Sequence, residues 1–288
     1  MKAIHRFCIT HEKPLLPDSW YDDCIAMGDF QTESPFHVKK LDGFWHEARP
    51  VAYGAAGSNA MPAAIRLLPA DMKYIEVNSY RKRILPSPEG KESPVYPTMR
   101  ELHDADIQTE EKLAVYTPPH GFLVAQPLYL KESIIGNYTV CHHRRDIKDY
   151  ASLAIEVGVL DTKSAKEFLA AKHFIPGGTE LGIFPRSWIA DVMPKIERIS
   201  RLFLTLYRSR VENYSSYQVR AVGFLSERLG SFLLLRHLKE KFSNNIPADV
   251  FGYMTSMVEA GSSYVEATPD LPRPSSTGFN SAAPNRVE

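Results

Sequence analysis

Met72-Lys73-Tyr74-Ile75-Glu76-Val77-Asn78-Ser79-Tyr80-Arg81-Lys82-Arg83 is the stretch whose reading decides the fold. Tyr74, Ile75 and Val77 give a short apolar run of strand composition, and it leads straight into Arg81, Lys82 and Arg83. Cations at or just past a strand end either cover a sheet edge or face an anionic ligand. Upstream, Ser58-Asn59-Ala60-Met61-Pro62 places a capping residue and a first-turn proline ahead of Ala63, Ala64, Ile65, Leu67 and Leu68. Further upstream, Ile4, Phe7 and Ile9 form a second apolar run over Ala3 to Ile9, ending in Thr10-His11-Glu12-Lys13-Pro14. Strand, helix and strand in this order predict an α/β fold, with a polar loop at each strand's carboxyl end.

Working outward, residues 15–56 are rich in Asp, Gly, Pro and aromatics without a sustained period, so they predict loops, short strands and a lid. Beyond Leu85 the chain is proline-broken, with a helix expected over Thr98 to Leu113 and a strand over Gly121 to Ala125. From Asn137 the pattern becomes helical. One helix is expected to about Val159, another over Thr162 to Phe174, then a brief Leu181 to Phe184 strand. Two long helices follow, over Ser187 to Arg208 and Ser216 to Phe242. The expectation is a sheet built first and a helical C-terminal half packed on it. Residues 1–265 would form a single domain and 266–288 a flexible, proline-rich tail.

The 288 residues carry 34 Lys+Arg against 34 Asp+Glu, which removes the cationic excess that duplex binding needs. Nucleic acid is therefore not an expected partner. Three widely spaced cysteines, Cys8, Cys24 and Cys141, argue against a disulfide framework and a structural zinc site. The first residues lack a signal-peptide core and no apolar run reaches the roughly 20 residues of a membrane helix, so a cytoplasmic location is expected.

Common cofactor and hydrolase signatures are absent: no G-x-G-x-x-G, Walker loop, H-E-x-x-H, G-x-S-x-G or C-x-x-C. Asp104-Ala105-Asp106 is a literal D-x-D, a pattern that can bridge a divalent cation to a diphosphate. Its neighbours Met99 to His103 look helical and polar, which favours a solvated face. His103-Asp104 with His142 and His143 matches a His-Asp metal phosphohydrolase only if the fold is all helical. In Cys141-His142-His143-Arg144-Arg145-Asp146 a helix would bring an imidazole near the Asp146 carboxylate, as a base or diphosphate clamp, or merely as a charged helix start. Glu227-Arg228 reads as an exposed pair, with Arg220 one helical face away.

In order along the chain, four motifs resemble one family. They are Thr10-His11-Glu12-Lys13-Pro14, Glu76 to Arg83, His143-Arg144-Arg145-Asp146, and Tyr217-Gln218-Val219-Arg220-Ala221-Val222-Gly223-Phe224-Leu225-Ser226-Glu227-Arg228-Leu229. The family is a bacterial group long labelled a domain of unknown function, found in capsule and O-antigen gene clusters and related to galactofuranosyltransferase domains. Ser79 stands where the family has His, Glu12 splits its His-Lys pair, and Lys82 replaces an Arg. Glu180-Leu181-Gly182-Ile183-Phe184 replaces its Asn-Met-Phe segment. The resemblance implies a GT-A-like nucleotide-binding sheet with flanking helices. It also implies transfer of a hexosyl group, galactofuranosyl among the candidates, from a nucleotide-diphosphate sugar, UDP-linked by preference. The acceptor would be a growing surface polysaccharide or glycolipid, reached through peripheral contact at the inner membrane face.

Such chemistry needs cations at the leaving diphosphate and a carboxylate at the acceptor hydroxyl. His11, Lys13, Tyr80, Arg81, Arg83, His142, His143, Arg220 and Arg228 are the expected donor-binding residues. Asp146 is the expected base and Glu227 a supporting, ion-paired carboxylate. Side-chain cations can stand in for a metal, so metal independence is favoured and no metal ligand is assigned, with a divalent cation as the alternative. A catalytically inactive partner that binds a nucleotide sugar or glycan is the competing reading.

Overall fold

The computed structural model describes residues 3–96, 98–107, 116–259 and 261–264. β1 (Ile4–Thr10) is buried along its whole length. Alternate side chains of a strand face opposite ways, and β1 uses this to serve two cores. Phe7 and Ile9 enter the main core with Ile25, Ile75 and Val77, whereas Cys8 joins a small cluster with Leu16, Trp20, Cys24, Leu85, Leu102 and Met257. Two of the three polar residues of β1 are matched by carboxylates: His5 lies 3.3 Å from Asp23 and Arg6 3.1 Å from Asp22.

β1 pairs in parallel with β2 (Asp23–Ala26) and β3 (Tyr74–Ser79). Beyond β3 the sheet continues through β4 (Lys82–Leu85), a strand from the far end of the chain, β6 (Met99–Leu102) and β5 (Lys91–Glu92). Two short strands lie off this path: β7 (Val124–Ala125), and β10 (Gly182–Pro185), which runs antiparallel along β3. β8 (Leu128–Tyr129) and β9 (His173–Phe174) form a separate ribbon. The architecture is a mixed α/β fold around a mostly parallel central sheet, as expected.

The helical layer comprises α1 (Val38–Leu41), α2 (Gly43–Ala52), α3 (Ala55–Leu67), α4 (Ile134–Cys141), α5 (Arg144–Glu156), α6 (Thr162–Ala170), α7 (Arg186–Glu212) and α8 (Ala221–Lys241). α3 packs against α2 and α7, and α7 against α8. A polar tie fixes α2 on α7. The Trp45 indole N–H donates to Glu197 Oε1 at 2.9 Å, and Arg201 joins Glu197 to Asp42, whose carboxylate caps α2.

Several sequence expectations are corrected. The expected helix over Thr98 to Leu113 is strand β6 followed by a single 3-10 turn at Asp104–Asp106; residues 108–115 lie outside the described set. Strands do not all precede helices, because β11 (Phe251–Met257) inserts between β4 and β6. It is largely buried, so it lacks the polar alternation that marks a one-sided strand. Gly252 lets it close on β4: a Cβ there would sit 2.5 Å from the Leu85 carbonyl oxygen. The helix expected from Asn137 to Val159 is two helices, α4 and α5, separated by extended backbone at His142 and His143. α2 emerges from the stretch read as loops, with Trp45, Ala48, Val51 and Ala52 buried on one face. α3 starts ahead of Ser58, so Ser58 and Asn59 are buried inside it rather than capping it. The proposed tail, 266–288, lies outside the described residues.

Candidate active site

The carboxyl ends of β1 and β3 carry the first group of residues. The Leu15 N–H donates to the Tyr80 carbonyl at 2.7 Å, which clips the loop after β1 onto the β3–β4 turn. That clip brings His11 to 5.5 Å from the Tyr80 ring, and Lys13 on the same loop is exposed. Arg81 lies 5.2 Å from the Tyr80 ring and 4.6 Å from the Tyr264 ring, and among the described residues no carboxylate pairs with it. Aromatic faces hold a guanidinium without cancelling its charge, so Arg81 remains available to an anion.

A second group sits where the Pro176-Gly177-Gly178-Thr179-Glu180 loop enters β10. β10 runs antiparallel to β3 with Gly182 opposite Val77, so Glu180 precedes it on the carboxyl-edge side. The loop is welded to α8. The Ile175 N–H donates to Ser231 Oγ at 2.7 Å and the Gly177 N–H to Glu227 Oε1 at 2.8 Å. Gly178, at φ +50°, approaches so closely that a Cβ would lie 2.6 Å from the Glu227 carbonyl oxygen. Glu180 Oε1 accepts from Ser226 Oγ at 2.9 Å. Loss of solvent around Glu180, with the Glu227 charge adding to it, pushes its carboxyl up to about 7; the Ser226 and Ser58 hydroxyls pull the other way. The Glu227 charge therefore adds to burial in raising the Glu180 carboxyl into the neutral range.

At the start of α8, Arg220 lies within 6 Å of three rings: Tyr217 at 4.8 Å, Phe224 at 5.4 Å and Tyr53 at 5.9 Å. Among the described residues no carboxylate pairs with it. Tyr53 adopts φ +50°, unusual for a residue with a side chain, at the junction of α2 and α3.

Other expected site residues have structural duties. Asp146 is 1% exposed, accepts from Tyr214 Oη at 3.0 Å and lies 2.8 Å from Arg210. Burial pushes its carboxyl up, while the Tyr214 hydroxyl and the Arg210 charge pull the other way. His142 bonds Gln218 Oε1 at 3.1 Å and stacks on Tyr217; burial depresses its pKa to about 3. His143 precedes α5 and packs 4.3 Å from the Tyr214 ring. Arg83 is committed to Glu76 at 2.5 Å beneath the sheet surface, over the Trp20 ring. Arg228 donates to the Phe224 carbonyl and to Asn137, and Glu227 bonds a backbone amide rather than the expected cation.

The D-x-D reading also changes. Asp104 and Asp106 follow a largely buried strand directly, at the carboxyl edge, because β6 runs parallel to β11. The helical context that argued against the motif is absent. Both carboxylates are exposed, and among the described residues no three His, Cys, Asp or Glu side chains converge as a metal-binding set. Glu180 is the residue that sequence reasoning missed. Its signal was a Pro-Gly-Gly turn between two helical stretches, ending in a lone acid immediately before an apolar strand.

No family model matches the chain, and no curated protein matches it in sequence. The mixed α/β fold is similar to that of a solved glycosyltransferase. A solved structure titled WbbM bifunctional glycosyltransferase, in its apo form, superposes with a TM-score of 0.62 at 11% identity. The overlap covers 88% of this chain and 45% of that one, so the present chain spans less than half the length of the protein it resembles. No helix among the described residues is long and apolar enough to cross a membrane.

Proposed function

We propose that the chain is a glycosyltransferase whose reaction takes place at the carboxyl edge of the sheet. The observation that carries this reading is Glu180, whose carboxyl is pushed up to about 7 by burial and the Glu227 charge, on the edge that also presents Lys13 and Arg81, cations with which no carboxylate pairs among the described residues. In this reading the acceptor hydroxyl gives its proton to Glu180. Its oxygen bonds to the anomeric carbon, the bond from that carbon to the diphosphate breaks, and the electron pair leaves with the phosphate oxygen. Lys13, Arg81 and Arg220, with His11 and Tyr80 beside them, meet the charge that develops there. The donor is a nucleotide-diphosphate sugar, hexosyl and UDP-linked by preference, and the acceptor a glycan or lipid-linked glycan. Action at a membrane surface by peripheral contact is part of the same proposal.

Asp104 and Asp106 add a choice. A divalent ion held by two carboxylates would complete its shell with phosphate oxygens and water, and would supply further charge neutralisation at the diphosphate. The side-chain cations supply the same charge without it. The test is donor hydrolysis and transfer by Glu180→Gln, Arg81→Ala and Asp106→Asn, with and without chelator. Loss of turnover with donor binding retained in Glu180→Gln supports the reading. Unchanged turnover in that variant removes Glu180 as the base, and absence of any nucleotide-diphosphate binding by the parent removes the function.

A further inference from the structure

Two neighbouring cavities lie away from this edge. The larger, about 630 Å³, opens between α7 and α8 near Pro185, and a neighbour of about 480 Å³ shares Pro185 and Lys241 with it. Pro185 pairs with Tyr74 at the start of β3, which places both at the amino edge of the sheet. β3 spans six residues, about 20 Å at 3.3 Å per residue, so a ligand here touches neither Glu180 nor Arg81.

The larger cavity is lined by a particular combination of groups. Trp188 is stacked on buried Phe184 at 5.6 Å and braced edge-on by Phe122 at 5.5 Å, which fixes the indole as a rigid platform. His237 lies 5.4 Å from that indole, and burial followed by the Lys241 charge depresses its pKa, so the imidazole offers one donor and one acceptor. The rim carries two internally neutralised pairs, Lys195–Asp191 at 2.6 Å and Arg236–Glu240 at 3.8 Å. The two pairs expose many donors and acceptors and neutralise each other, and Lys241, which also lines the cavity, adds a single positive charge. A rigid aromatic face bordered by paired donors and acceptors suits a ligand with one apolar C–H face and a ring of hydroxyls.

We propose that this amino-edge groove is a glycan-binding subsite that holds an uncharged segment of the acceptor oligosaccharide remote from the reacting hydroxyl. The proposal rests on the glycosyltransferase reading for the identity of its occupant, though not for the binding itself. A sugar ring stacks on Trp188, its hydroxyls bond His237 and the Asp191 and Glu240 carboxylates, and Lys195 and Arg236 donate from the rim. The expected consequence is preference for long acceptors over short ones, with donor handling unaffected.

The experiment titrates the full chain with a neutral galacto-oligosaccharide of several residues, following tryptophan fluorescence and ligand-observed NMR. Saturable binding is expected, weakened about tenfold or more in Asp191→Ala and in Glu240→Ala. Both side chains are more than half exposed, at 61% and 70%, so these variants keep the fold. Trp188→Phe, which retains a ring against Phe184, is expected to lose most of the affinity. Glu180→Gln should bind the oligosaccharide as the parent does. Absence of saturable binding overturns the proposal, as does binding that Glu180→Gln abolishes and Asp191→Ala leaves intact. Groove-dependent binding of anionic lipid vesicles in place of the oligosaccharide also overturns it. Failure of the glycosyltransferase reading looks different, since a parent that binds no nucleotide diphosphate leaves the oligosaccharide titration unchanged.

Discussion

Glu180→Gln keeps the shape of the side chain and removes its charge, so it separates the electrostatic cost of the site from its packing. The Glu180 carboxyl titrates near 7 in the folded chain against an ordinary value of 4.5. At about 1.36 kcal/mol per pH unit, that displacement is worth about 3 kcal/mol. The folded value lies above the unfolded one, so the favourable share is complete below about pH 4.5 and is lost as pH rises through about 7. Glutamine mimics the protonated acid at every pH. Relative to the parent, the variant should therefore gain about 1 kcal/mol at pH 5 and about 3 kcal/mol at pH 8. Urea unfolding at the two pH values measures the difference directly. The same variant should lose about 10²- to 10⁴-fold in turnover, while the parent's kcat/KM climbs to a plateau above about pH 7. A stability gap that stays constant between pH 5 and pH 8 would refute the account of Glu180 as a desolvated carboxyl beside a second charge.

Four further outcomes follow from the same geometry. Glu227→Gln removes the neighbouring charge, so the rising limb of the kcat/KM profile should move to lower pH. Arg81→Ala should weaken nucleoside-diphosphate binding about ten- to a hundredfold, measured by calorimetry, because one charge-assisted bond to phosphate is lost. Asp146→Asn should leave turnover per folded molecule near the parent's and change unfolding free energy little, since Arg210 keeps Asp149 at 2.7 Å and burial already disfavours the Asp146 charge. Gly178→Ala should lower both stability and kcat, because its Cβ would force the loop away from Glu227 and carry Glu180 with it.

The fold was legible where local pattern and burial agree. β1, β3 and the apolar faces of α7 and α8 announce themselves by period, and each lies within a few residues of its expected position. β11 escaped because largely buried strands carry no alternation and because it pairs with β4 and β6, distant in sequence. β6 was misread since Met99-Arg100-Glu101-Leu102 looks polar. Its Glu101 is in fact buried and accepts from Ser93 Oγ at 2.6 Å, a partner no local window reveals. The site was legible only in part. Lys13 and Arg81 follow strand ends, which is a local property. Whether a charged residue is exposed or already neutralised is a tertiary property, and for that reason Arg83 and Asp146 looked like reagents and turned out to be buried ion pairs.

That contrast also explains why the Glu180–Glu227 pair reads as chemistry rather than scaffold. Buried Glu101 is met by the Ser93 hydroxyl, and each of four other sheltered carboxylates faces a guanidinium: Asp22 meets Arg6, Glu76 meets Arg83, Asp146 meets Arg210 and Glu197 meets Arg201. Each of these ion pairs offsets desolvation with an opposite charge. Glu180 instead faces a second carboxylate, which the Gly177 amide fixes in position so that it cannot swing away. A neutral side chain at either position would be more stable at physiological pH. Scaffold alone gives no reason to retain the cost, whereas a base poised near neutrality requires that desolvation and that neighbouring charge.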